Sequence, residues 1–246
     1  MPVLLFLYPD READAVTSMS LFFVLLNSAS GAVAYGRQRR IDYRTAAWLA
    51  AGTLPGAVLG ALLVGQFPRR QFEGLFAAVL VGLASYLLLR RRGTGLVQPV
   101  AGRGVSRRRL RDAYGNTFVY SFHLWKGVAL AALTGFLGAL LGIGGGVINV
   151  PMMSLVMHFP MHIAVATSQL VVAAMAGQST AVHIASGTLG WNETFLQAAL
   201  LAAGALPGAQ VGARLARRFQ GEVITRVLAV CLLVVGLRLG LRALGF

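Results

Sequence analysis

Within ten residues the chain runs Gly142-Ile-Gly144-Gly145-Gly146-Val-Ile-Asn149-Val-Pro151. Three consecutive glycines followed by a proline oppose a continuous helix, because glycine loses the most backbone freedom on ordering and proline has no amide to donate. A backbone opened in this way presents N–H groups in a concave array, the donor set that a small anion needs once its water is stripped. With no Cβ at Gly142, Gly144, Gly145 or Gly146, a ligand can approach the main chain closely. The same spacing, extended to Gly138-x-x-x-Gly142-x-x-x-Gly146, also fits a stripe of close helix packing. Both readings stand on the sequence.

Thr167, Ser168 and Gln169, and their upstream counterparts Thr17 and Ser18, add hydroxyl and amide donors that could replace water around an oxyanion without a fixed charge. Helical Ser and Thr also bond their own backbone, so these residues carry an equally plain structural reading. Asn27 and Gln178 sit within apolar runs and need partners there, as links between helices or as path lining. His183 could carry protons or serve as a hydrogen-bonded structural group. No Asp or Glu falls near the middle of an apolar run, so the carboxylate relay usual in membrane transporters is missing. Cys231, the one cysteine, has no partner for a disulfide or a metal.

The elements that must position these groups are set by composition. Of 246 residues, 57% are hydrophobic and 12% charged, with a mean hydropathy of +0.69. A soluble domain carries about twice that charge, so lipid is the expected solvent. Seven runs reach the roughly 20 residues a crossing helix requires: Ala15–Tyr35, Thr45–Gln66, Phe72–Leu89, Gly127–Val150, Ile163–Ala185, Thr194–Arg214 and Val223–Leu244. The net charge of +14 lies in arginine clusters at the ends of these runs. That pattern fits the positive-inside rule and offers no continuous basic face for nucleic acid. The segment 90–126, rich in arginine, reads as a solvated cytoplasmic connector. With Gly36–Arg44 it marks one side; counting spans puts Arg69, Arg70 and Arg214–Arg218 on the other. The contrast is clear in the first half and weak in the second.

The chain also repeats itself. Gly52-Thr-Leu-Pro55-Gly56-Ala57-Val-Leu-Gly60-Ala61 returns as Gly204-Ala-Leu-Pro207-Gly208-Ala209-Gln-Val-Gly212-Ala213, and Thr17-Ser18 returns as Thr167-Ser168. A duplicated helical unit is a common plan of secondary transporters. The expectation is an all-α polytopic membrane protein of about seven transmembrane helices, a single transmembrane domain over 1–246. Residues 1–89 form an incomplete first repeat, 90–126 the connector and 127–246 the second repeat. Three spans face four, so a start upstream of Met1 is expected.

The G-x-G-G-G-x-x-x-x-P segment, the Thr-Ser about sixteen residues later, the paired P-G-A-x-x-G-A segments and the basic centre resemble the sulfite exporter TauE/SafE family. The resemblance covers nearly the whole chain and departs from the family only in the absent first-half glycine motif. It implies a bacterial inner-membrane permease of 4+4 helices that moves sulfite, sulfonates or other organosulfur anions. The expected partners are a small anionic solute and the lipid bilayer, with no nucleic acid and with self-association into a homo-oligomer left open. No cofactor or metal is expected. An intramembrane enzyme is the competing class, but Ser30-Gly31 and Ser186-Gly187 sit in no G-x-S-x-G frame and no H-E-x-x-H occurs. A non-transporting membrane protein is the third.

Overall fold

Runs of Ala, Leu, Val and Gly about twenty residues long satisfy their backbone internally only as helices when lipid surrounds them. The computed structural model describes residues 2–8, 11–89, 105–189, 193–215 and 221–244. Its helices are α1 (Pro2–Leu7), α2 (Ala13–Arg37), α3 (Tyr43–Leu63), α4 (Arg69–Leu89), α5 (Leu124–Leu140), α6 (Gly146–Pro151), α7 (Met161–Ala185), α8 (Glu193–Leu215) and α9 (Gly221–Leu244). Among the described residues, four helices are long and apolar enough to cross a membrane: Ala13–Arg37, Tyr43–Gln66, Arg70–Leu89 and Met161–Ala185. Trp48, Leu59, Leu62, Val211 and Leu237 are each more than half exposed. Such side chains belong against acyl chains rather than water.

α2 and α7 run antiparallel through the centre. Asp14 meets His183 at one end of the pair, and Gly31 lies against the Gln169 amide toward the other. α3 packs on α5 through one glycine face. A Cβ at Gly56 would strike the Ala132 carbonyl, and one at Gly60 would meet Phe136 O at 2.5 Å. The duplicate face on α8 differs, since among the described residues nothing lies within 4 Å of a Cβ at Gly204, Gly208 or Gly212. α4 pairs with α9 on the far side.

Two expectations need correction. The run Gly127–Val150 does not form one span, because α5 stops at Leu140. Gly142, Gly144 and Gly145 then take φ values of +62°, +67° and +67°, which residues bearing a Cβ resist. The chain doubles back through α6 and a π-helical turn, Met152–Val156, and Met157 returns to pack on Gly127 near the start of α5. This passage enters and leaves by the same face.

The connector is the second correction. Its residues 90–104, including Arg90–Arg92 and Arg103, lie outside the described residues. The remainder is a structured hairpin, β1 (Val105–Arg111) antiparallel to β2 (Thr117–His123). Phe118, Tyr120 and Phe122 alternate toward the protein. The Tyr120 and Phe122 rings lie 4.5 and 4.8 Å from that of Phe159. Asp112 builds the turn by accepting the Tyr114 and Asn116 amides at 2.9 Å each, with Gly115 at φ +88°. The hairpin then docks on the α2–α3 loop. Arg40 donates to the Asp112 carboxylate at 2.9 Å, and the Ala113 amide donates to the Gln38 carbonyl at 3.0 Å.

Burial alone raises the Asp112 carboxyl, but hydrogen bonds from Asn116, Arg40 and the Tyr114 amide outweigh it and hold the group below its ordinary value. A depressed carboxyl stabilises the docked state above its unfolded value of 3.8, and that contribution is lost as pH falls through the lower folded one. Asp112→Asn is expected to loosen docking by about 1–3 kcal/mol. Limited proteolysis at neutral pH should cut the variant at the hairpin sooner than the parent. Equal cutting would remove the ion pair from the account.

Candidate functional site

The glycine turn lies deep in the helix bundle. A Cβ at Gly144 would collide with Val24, and it would reach Val172 at 3.3 Å. These residues stand at the middles of α2 and α7, so the tip of the re-entrant passage sits at mid-depth. Ser20 fastens it by donating to the Gly142 carbonyl at 2.6 Å. The amides of Ile143 and Gly144 both turn back to the Gly138 carbonyl. Those of Gly145, Gly146 and Val147 take no backbone acceptor among the described residues. They begin the returning helix, where orphan N–H groups and the positive end of the dipole coincide.

Asn149 completes this array from one turn along. Its side chain is fully buried, and its carbonyl oxygen accepts from Thr134 Oγ1 at 2.8 Å. Its amide nitrogen has no partner and lies 3.3 Å from where a Gly145 Cβ would be. A buried donor left without an acceptor costs about 1–3 kcal/mol, so a group retained in this state is poised for one. Pro151, also buried, ends α6 and can donate nothing to the π-helical turn that follows. The arrangement is a cradle of several neutral N–H donors with no fixed charge, in a low-dielectric setting.

The hydroxyl residues are not gathered around that cradle. Because α2 and α7 are antiparallel, repeat-equivalent positions are carried to opposite ends of the bundle. Thr17 and Ser18 sit near the His183 end, and Thr167, Ser168 and Gln169 near the hairpin. Ser18 and Ser168 bond their own helices, at the Ala15 and Val165 carbonyls (2.8 and 2.9 Å). The Thr17 hydroxyl is buried with no partner. Thr167 Oγ1 accepts the Asp42 amide at 3.1 Å. Gln178 links helices, donating to the Ala50 carbonyl at 3.2 Å and accepting from Thr53 at 3.3 Å.

Sequence reasoning passed over Asp42, which organises the hairpin side. Its carboxylate accepts the Thr45 amide (3.1 Å) and hydroxyl (2.6 Å) as a helix cap, and also the Tyr120 hydroxyl at 2.9 Å. Burial first, and the charge of Asp42 second, push the Tyr120 hydroxyl well above the usual phenol value and keep it a donor. Asp42-x-x-Thr45 ahead of an apolar run was a legible cap signal. At the other end His183, 1% exposed, has Nδ1 at 3.2 Å from Asp14 Oδ1, and Asp14 Oδ2 accepts from Thr188 at 2.9 Å. No group of ligating side chains able to hold a metal occurs among the described residues.

Comparison with known proteins agrees with this architecture. The chain is 29% identical over 233 residues to the probable membrane transporter protein YunE of Bacillus subtilis, an overlap covering 95% of the chain and 83% of that protein. It is 26% identical over 208 residues to the probable membrane transporter protein MamO of Paramagnetospirillum magneticum. That overlap covers 76% of the chain and only 32% of MamO's length. No solved structure matches. The model of the family described as sulfite exporter TauE/SafE matches residues 1–239, almost the full length of these helices and the turn they enclose, and this multi-pass membrane transporter belongs to that family.

Proposed function

We propose that this transporter moves a small oxyanion, a sulfite, sulfonate or other organosulfur anion, past the glycine turn. The observation that carries the reading is the Asn149 amide nitrogen, buried and unpartnered beside the amides of Gly145 and Gly146. A cradle of neutral donors suits a solute that must be released as well as bound. Among the described residues no nucleophile–base pair lies beside the cradle, and the reading here is passage rather than turnover. Residues 1–89 and 127–246 act as two related halves of one transmembrane domain. The pairing of α2 with α7 and of α4 with α9 supports this plan. Insertion is in the bacterial inner membrane, with the basic hairpin toward the cytoplasm.

Asn149→Leu keeps the branching at Cγ and the number of heavy atoms while removing the donor. A hydrogen bond to a charged group contributes about 1.5–3 kcal/mol, so apparent affinity is expected to fall roughly tenfold to a hundredfold. The measurement is flux into proteoliposomes with sulfite, sulfoacetate, thiosulfate and taurine. Unchanged affinity for every transported solute in that panel would remove Asn149 from the path and the reading with it.

A further inference from the structure

The end of the bundle away from the hairpin holds a polar cluster that the anion cradle does not use. Asp14, on the first turn of α2, and His183, on the last turn of α7, face one another at 3.2 Å. A cavity of about 340 Å³ opens on Asp14, lined by Glu12, Gly65, Gln66 and Phe67 among others. The Asp14 side chain is 24% exposed and the His183 side chain 1%. The pair therefore spans the boundary between an open vestibule and the protein interior.

With Nδ1–H donating to Asp14, the neutral imidazole turns the lone pair of Nε2 inward. That atom is buried and has no partner. One helical turn deeper, the hydroxyls of Ser179 and Thr180 on α7 and of Thr17 on α2 are also buried without partners. A further turn along α2, Ser20 holds the Gly142 carbonyl at the tip of the glycine turn. Four unpartnered polar atoms thus lie between the vestibule and the proposed cradle, where unsatisfied groups are costly.

We infer that Asp14 and His183 form a proton-binding site on the anion path, so that the solute travels with a proton. This rests on the anion reading above. An anion passing the bare Asp14 carboxylate meets like charge, and within a few ångströms of low-dielectric protein that repulsion is large. A proton taken up at His183 Nε2 makes an imidazolium that neutralises Asp14 and removes the barrier. Its departure restores it. Anion and proton therefore cross together, and neither charge is left uncompensated inside. Among the described residues, the other ionisable groups near this end are Glu12 in the same cavity, Tyr8 and Arg11 ahead of α2, and Arg70 and the buried Glu73 early in α4. The remaining side chains of the 3-10 turn Val64–Gln66 and of the segment Ser186–Leu189 carry no charge.

The test separates exchange from net transport. Protein reconstituted in liposomes with entrapped pyranine is given sulfite or sulfoacetate, and both labelled-solute exchange at equal pH and proton entry during net uptake are followed. The parent should show both. Asp14→Asn, which removes the repelling charge, should keep exchange, which also certifies that it is folded, and lose proton entry together with the acceleration by an inward acid step. His183→Gln, which leaves the carboxylate bare, should lose both exchange and proton entry while still eluting as a monodisperse protein in detergent. Exchange with no proton movement in the parent, undiminished movement in Asp14→Asn, or exchange at the parent rate in His183→Gln overturns the proton site and leaves the anion reading standing. No exchange by the parent with any anion overturns the anion reading, and the coupling with it.

Discussion

Leucine in place of Gly145 is expected to stop anion flux while leaving insertion into the membrane intact. Gly145 holds φ at +67°, and a Cβ there would come within 3.3 Å of Asn149 Nδ2, Met175 Sδ and the Thr134 carbonyl at once. An L-residue in this conformation stores about 1–3 kcal/mol of backbone strain. Inserting the rest of the side chain into packed surroundings adds about 1–3 kcal/mol more. Both penalties fall on the turn rather than on the long helices, which are held by their own packing. The added atoms also occupy the space above the Gly145 and Gly146 amides. Proteoliposome flux at background, beside a monodisperse profile in detergent, is the expected pair of results. Flux surviving in a protein with this change would move the path elsewhere.

The second large effect lies in assembly and contrasts two positions that the repeat makes equivalent. At Gly56 an added Cβ would overlap the Ala132 carbonyl and fall 2.7 Å from the Phe136 nitrogen. Both are backbone atoms of α5 and cannot swing aside, so Gly56→Leu must separate α3 from α5. Overpacking usually costs about 1–3 kcal/mol and occasionally more, and this contact belongs at the upper end. At Gly208 nothing among the described residues lies within 4 Å. Gly56→Leu should leave little folded protein on size exclusion, whereas Gly208→Leu should keep a thermal midpoint within about 4 °C of the parent, the shift that 1 kcal/mol produces. Equal behaviour of the two variants would contradict the packing described for α3.

The helices were legible because lipid leaves little choice. An uncharged run of twenty residues has one way to satisfy its backbone, and the ends of α2, α3, α4, α7, α8 and α9 fall within a few residues of the apolar runs. The break at Gly142–Gly146 was legible for an equally local reason. What the chain does after the break was not. Val147–Met157 is as apolar as Val128–Leu141, so hydropathy continues smoothly through a reversal of direction. The hairpin was hidden behind Arg107, Arg108, Arg109 and Arg111, which read as solvated charge. The alternation Phe118, Tyr120, Phe122 after the Asp112–Asn116 turn was the available signal.

Side-chain neighbours were the least legible layer. The repeat relates Thr17 to Thr167 along the chain, yet antiparallel packing separates the two in space. Asp14 and His183 are 169 positions apart in the sequence (183 − 14), so nothing local connects them. Asn149 and Thr134 meet only because the turn folds α6 back against α5.

A passage that doubles back does not carry the chain to the opposite face, so every later helix points the other way from where a straight span would leave it. Met157 stays beside the hairpin, Ser186–Leu189 falls on the far face, and α8 comes back, its Gln210 bonding Ser30 in the hairpin-side half of α2. The end of α8 at Leu215 and the start of α9 at Gly221, with Arg226 on its second turn, thereby fall on the face of Arg37–Arg44 and the hairpin arginines instead of opposing it. A charge count that takes every apolar run as a crossing therefore assigns the α8–α9 junction to the wrong side, and a count that leaves this passage out returns Arg226 to the side of the hairpin arginines.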